Sequence, residues 1–157
     1  MKGNCVTRVE VAGLQQNAGI GGRYVTGIER PFPEDAIIVS RTDPEGVITH
    51  VNQALVDISG YCQQELLGQR HNLLRHPDMP CDVFAQMWLT IGQGRRWHGY
   101  LKNRCKDGSH YWVKATVMPN IRQGQLLGYT SVRKKPSRVK VDACEALYAR
   151  MRAESHG

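Results

Sequence analysis

The chain has 157 residues and a mass of 17.7 kDa, enough for one domain of ordinary size with tails. With 41% hydrophobic and 22% charged residues it is neither disordered nor fibrous, and no run approaches the roughly 18 consecutive apolar residues of a membrane span. The net charge of +7 sits largely in two clusters, Arg95 to Lys114 and Arg133 to Lys140, without a recognition helix, zinc-finger spacing or aromatic RNA-binding motif, so no nucleic-acid partner is expected.

The N-terminus lacks the apolar core of a signal peptide, which points to the cytoplasm. The 5 cysteines are scattered, form no CxxC and stand at no zinc spacing from a histidine, so reduced, mostly structural thiols are expected. Residues 1–35 hold 6 glycines and end in PFPED, a composition that predicts an extended or loosely ordered N-terminal cap.

From Ile37 the pattern sharpens. IIVSRT and VITHVN read as two strands joined by the turn Asp43 to Gly46, a β-hairpin. Asn52 stands where the second strand gives way to a helical stretch that stops at Gly60, and a second short helix ends at Gly68. The polar segment QRHNLLRHPDMP, broken by two prolines, reads as a turn-rich connection. Pro80 then suits the first position of a helix whose stripe is Val83, Phe84, Met87, Trp88 and Ile91, ended by Gly92 and Gly94.

Three strand-like runs follow, WHGYLKNRC, HYWVKATVMPNI and QLLGYTSVRKK, separated by the turn segments KDGS and RQG. Alternation along the first puts Trp97, Gly99, Leu101 and Asn103 on one face, and His98, Tyr100, Lys102 and Arg104 on the other. An apolar face interrupted by a single asparagine marks a candidate pocket. After Pro136, from about Val139, the positions Val141, Cys144, Leu147, Tyr148 and Met151 predict an amphipathic helix, either a linker leaving the domain or a cap folded back onto it. Two strands, several short helices and three antiparallel strands make an α+β arrangement with the short helices on one face of a five-stranded antiparallel sheet.

No carboxylate pair, nucleophile and base, or phosphate loop accompanies this pattern, and GIGG (Gly19 to Gly22) is not a dinucleotide fingerprint, so the chain does not read as an enzyme.

The element order is that of PAS domains, and the residues go further. VITHVN, the run Ser59 to Gln69, HNLLRHPDMP (His71 to Pro80), FAQMW (Phe84 to Trp88), Trp97 to Arg104 and DGSHYWV (Asp107 to Val113) resemble the flavin-binding PAS domain of bacterial aerotaxis transducers, from about Asp43 to Lys134. The resemblance implies a PAS sensor domain over 36–135, following the cap at 1–35 and preceding a basic linker and amphipathic helix at 136–157. It implies non-covalently bound FAD, with His71, Arg75, His76 and Asp78 in the motif associated with flavin binding and Asn52, Trp88, Trp97, Asn103 and Tyr111 at other pocket positions.

The chemistry of several of these residues suits a flavin on its own terms. Trp88, Trp97 and Leu101 can wall a flat apolar ring, the Asn103 amide offers both a donor and an acceptor to a polar edge, and Arg75 can bind a pyrophosphate. Light-oxygen-voltage domains share the fold but use a cysteine in GxNCRFLQ. Laid over that segment, GQRHNLLR has His71 at the cysteine position, so no cysteinyl photoadduct is expected. The implied function is a redox or oxygen sensor of the energy-taxis type. Its partners would be a chemoreceptor, a HAMP-type region or a kinase region, in cis or in trans, or a second copy of the chain in a homodimer. Two other readings of the fold are a haem-binding gas sensor with His71 or His76 as axial ligand, and a cofactor-free interaction module.

Overall fold

The computed structural model describes residues 24–155, so Cys5, GIGG and most of the N-terminal cap lie outside the described residues. In chain order the elements are β1 (Ile38–Thr42), β2 (Ile48–Val51), α1 (Gln53–Ser59), α2 (Gln63–Leu66), a 3-10 turn (His71–Leu74), α3 (Cys81–Gly92), β3 (Trp97–Arg104), β4 (His110–Arg122), β5 (Gln125–Lys134) and α4 (Arg138–Ser155). The strands form one five-stranded sheet in the order β2-β1-β5-β4-β3, antiparallel throughout.

Local chemistry sets the turns. Asp43 Oδ1 accepts from the Glu45 and Val47 amides at 2.9 and 3.0 Å, and Gly46 takes the φ of +85° that returns the chain into β2. Between β4 and β5, Gln123 and Gly124 have φ of 52° and 75°, the left-handed pair of a two-residue hairpin loop. The segment expected as an irregular connection contains the 3-10 turn at His71–Leu74, because local carbonyls close it where no longer apolar period supports a helix.

Pairing separates the sheet into two faces. Asn103 opposite Tyr111, Leu101 opposite Val113, and Val117 opposite Ser131 share the inner face, which α1, α2 and α3 cover. Leu55, Leu66, Leu74, Ile91 and Val113 are buried in the core between those layers. Lys102 opposite Trp112 belongs to the outer face.

The C-terminal helix, whose course the sequence left open, folds back onto that outer face. Tyr148 stacks on Trp112 with ring centroids 6.1 Å apart and donates to the Tyr100 carbonyl at 2.6 Å, while Val141 is buried. The described part of the N-terminal segment is extended and held by hydrogen bonds. The Thr26 amide donates to the Gly108 carbonyl at 3.0 Å and the Arg30 amide to the His110 carbonyl at 2.7 Å, and the Arg30 guanidinium pairs with Asp107 at 3.0 Å. The expectation of reduced thiols holds for Cys81, Cys105 and Cys144, which are free, but not for Cys62, which is disulfide-bonded.

Candidate functional site

A cavity of about 220 Å³ opens between the inner sheet face, α3 and the 3-10 turn. Its walls are apolar where α3 and the sheet meet: Phe84, Met87, Trp88 and Ile91 from the helix, Leu101 and Val117 from β3 and β4, and Tyr129 from β5. Trp88 is 42% exposed, so it stands at the mouth rather than in the core, edge-on to Tyr129 with ring centroids 5.4 Å apart. Gly46 faces it. A Cβ on Gly46 would lie 3.6 Å from the Trp88 ring, on a backbone whose φ of +85° already disfavours a side chain.

Polar groups line both sides, Ser40, Asn103 and Arg133 on the sheet and Arg70, His71, Asn72 and Arg75 at the 3-10 turn. Asn103 is 5% exposed, and its Nδ2 is buried without a hydrogen-bond partner. Arg133 is 1% exposed; its Nη2 donates to Ser40 Oγ, whereas Nε and Nη1 are buried without partners. Ser40 Oγ in turn lies 3.0 Å from His71 Nε2. Arg75 is laid over the Phe84 ring, 3.5 Å from its centroid. Unsatisfied buried donors beside an apolar slot suit a planar ligand with a polar, electron-rich edge.

Charge in the cavity is predominantly positive. Arg70, Arg75 and Arg133 line it against the single acidic lining residue Glu45. Burial, reinforced by the charges of Arg133 and Arg75, pushes the His71 imidazole down to about 3, so it is neutral at ordinary pH. Burial also pushes the Arg133 guanidinium down to about 10, which leaves it a cation. The Tyr111 hydroxyl behind Asn103 is driven up by burial and stays protonated.

The structure brings four of the expected site residues together at this cavity: His71, Arg75, Trp88 and Asn103. The others stand outside it. Asn52 caps α1, its Oδ1 accepting from the Leu55 and Val39 amides at 3.2 and 3.1 Å and its Nδ2 donating to the Ile37 carbonyl at 2.8 Å. Trp97 is buried in the core over Gly99, where a Cβ would fall 2.3 Å from its ring, and Tyr111 is fully buried across the strand pair from Asn103.

His76 and Asp78 belong to a loop that wraps the edge strand β3. The His76 amide donates to the Lys102 carbonyl at 3.2 Å, and His76 Nδ1 accepts from the Asp78 amide at 3.0 Å. Burial and the Lys102 charge push His76 down to about 4. On the outer face the Asp78 carboxylate pairs with Lys102 at 2.9 Å, and Arg152 of α4 donates to the Asp78 carbonyl. The loop therefore begins at the cavity wall, where Arg75 bridges to Asn103, and ends beneath α4.

Residues 48–133 match the profile of the family described as PAS fold. The chain belongs to the PAS family. The chain is 45% identical over 130 residues to the aerotaxis receptor of Escherichia coli (strain K12), covering 83% of this chain and 26% of that protein. It is 31% identical over 121 residues to the nitrogen fixation regulatory protein of Klebsiella pneumoniae, covering 76% of this chain and 23% of that protein. The chain thus spans about a quarter of the length of these relatives. Among solved structures, the PAS fold here superposes on a light-oxygen-voltage domain studied with a flavin analogue (TM-score 0.59, 23% identity, 75% of this chain and 87% of that one). It also superposes on the light state of the Aureochrome1 light-oxygen-voltage domain (TM-score 0.60, 19% identity, 70% and 91%). These relatives are named as receptors and regulators, and among the described residues no helix is long and apolar enough to cross a membrane.

The polar and aromatic contributors to the PAS cavity that sequence reasoning missed include Ser40, Tyr129 and Arg133. A signal was present. Counting by twos along β5 places Tyr129, Ser131 and Arg133 on one face, and an arginine in register with core positions stands out once Arg133 is separated from the basic run that follows it.

Proposed function

We propose that this PAS domain binds FAD non-covalently in the cavity between α3 and the inner sheet face. In this reading it passes the redox state of the flavin, and through it oxygen supply, to a signalling partner. The observation that carries the proposal is the combination of apolar walls with buried N–H groups that lack a partner, Asn103 Nδ2 and Arg133 Nε and Nη1, on one side. The residues present fit the group: Trp88, Phe84 and Leu101 would enclose the ring, Asn103 would meet its polar edge, and Arg70 and Arg75 are the cations available to its pyrophosphate. When bound, FAD supplies reversible, proton-coupled electron transfer.

Asn103 carries both a donor and an acceptor, so its amide can answer a change of donor and acceptor pattern by rotating. Only a difference in the preference of two ligand states for two protein conformations can transmit a signal. The loop from Arg75 to Asp78 offers such a route, from Asn103 at the cavity to α4 on the opposite face. The similarity to an aerotaxis receptor supports a chemoreceptor, HAMP-type or kinase region as recipient, with the module in the cytoplasm.

A haem reading finds less support. His71 Nε2 is engaged with Ser40, and His76 stands outside the cavity with its Nδ1 bonded to the Asp78 amide. The test is the absorption spectrum of freshly purified protein before and after dithionite and on return to air. Two visible flavin bands that bleach and recover support the proposal, and heat release with chromatography then distinguishes FAD from FMN. A Soret band, or a colourless protein that refuses added FAD, overturns it.

A further inference from the structure

We infer that Arg133 sets the electron affinity of this pocket: its guanidinium stabilises the negative charge a bound flavin gains on reduction and so raises the reduction potential. The inference rests on the flavin reading above and concerns the first residue of the basic cluster Arg133 to Lys140.

Arg133 sits on β5 between Ile38 of β1 and Ala115 of β4, in the middle of the sheet, and is 1% exposed. A cation there normally needs a carboxylate. Among the described residues none pairs with it, and its single hydrogen bond goes to the Ser40 hydroxyl. The groups around it do not neutralise it: His71 on the 3-10 turn is uncharged, Tyr111 on β4 is protonated, and Arg75 carries the same sign. Nε and Nη1 remain buried and unpartnered on a residue that lines the cavity. Of the other arginines that line the cavity, Arg75 sits over the Phe84 ring, its Cζ 3.5 Å from the centroid.

The chemistry of the proposed ligand supplies what the site lacks. Oxidised flavin is neutral at its ring. Two electrons from a reductant such as dithionite and one proton from solvent leave the ring with one negative charge. A fixed buried cation lowers the energy of that product and barely affects the neutral reactant. The same charge acts on neighbours with no ligand present, since it helps hold His71 in its neutral form.

The experiment measures the reduction potential of flavin-loaded wild type and of Arg133→Lys, Arg133→Gln and Arg133→Met by equilibration with a redox dye. Removing the charge, in Gln and Met alike, shifts the equilibrium toward oxidised flavin by at least tenfold, a fall of about 30 mV for a two-electron couple. Lysine, which keeps the charge, stays within about threefold of wild type. Gln and Met variants within threefold of wild type, or a Lys variant displaced as far as Met, overturn the inference. A second readout needs no flavin: NMR titration of His71 in the flavin-free protein shows its pKa rising in Arg133→Met or Arg133→Gln, and an unmoved His71 counts against the role. A wild type that takes up no flavin removes the underlying reading and this inference with it. A flavin-binding protein with charge-independent potentials removes only the role of Arg133.

Discussion

Replacing Arg133 by methionine in the flavin-free protein keeps most of the side-chain volume while deleting a buried charge. Burial pushes the guanidinium down to about 10 from the ordinary arginine range, so the folded state disfavours the charged form by roughly 3 kcal/mol, at about 1.4 kcal/mol per pH unit. Because the folded value is the depressed one, this penalty is present at every pH below about 10 and is constant across neutral pH. Against it stands the hydrogen bond from the charged guanidinium to Ser40, about 1.5–3 kcal/mol, and Ser40 keeps His71 Nε2 as a partner when that bond is lost. Arg133→Met is therefore expected to stabilise the flavin-free protein by up to about 1.5 kcal/mol, a rise in Tm of up to roughly 6 °C for a chain of this length. Urea unfolding of both proteins at pH 7 measures it, and the gain should shrink when flavin is bound. A variant less stable than wild type by more than about 1 kcal/mol would refute the reasoning, because the charge would then be satisfied by the protein itself.

The remaining predictions concern the ligand edge, the histidines and the outer helix. Asn103→Leu leaves the polar edge of the ligand without its directed partner, and a loss of about 10- to 100-fold in FAD affinity, read by fluorescence titration, is expected; unchanged affinity contradicts the placement. His71 and His76 are held at about 3 and about 4 in the folded protein, while unfolded histidine takes up a proton near 6.5. The unfolded state thus binds more protons, and stability should fall as pH drops from about 6.5 toward 4, by up to about 1.4 kcal/mol per pH unit for each histidine. Urea midpoints that stay flat over that range count against the buried, neutral imidazoles. Tyr148→Phe loses the 2.6 Å bond to the Tyr100 carbonyl, and α4 should exchange amide hydrogens faster by about fivefold or more, corresponding to about 1 kcal/mol; unaltered exchange would mean that stacking on Trp112 alone secures the helix.

Much of the sheet was legible because its signals are local. Period-two alternation from Trp97 to Arg104 assigned Leu101 and Asn103 to the inner face, and Asp43 with Gly46 announced the first hairpin. The five sheet strands and the stripe of α3 follow from the same reasoning. Long-range geometry was harder to read. Asn52 was a pocket position by the resemblance alone, whereas in the structure its Oδ1 caps α1 and accepts from Val39 and its Nδ2 donates to the Ile37 carbonyl. His76 and Asp78 share a motif with Arg75, yet the chain turns around β3 between them, so neighbours in sequence emerge on opposite sheet faces. Arg133 hid in a run of cations, since composition cannot tell a buried guanidinium from a solvated one. The docking of α4 depends on Trp112 and Tyr148 meeting across 36 residues of sequence, a contact that no periodicity reveals.

A crystal structure of the protein grown with saturating FAD would show where the flavin lies and how it is oriented. The ring is expected between Trp88 and Leu101, with its polar edge within hydrogen-bond distance of the Asn103 amide and the Arg133 guanidinium. A ring bound elsewhere, or a cavity that stays closed around its own side chains at saturating FAD, would contradict this placement.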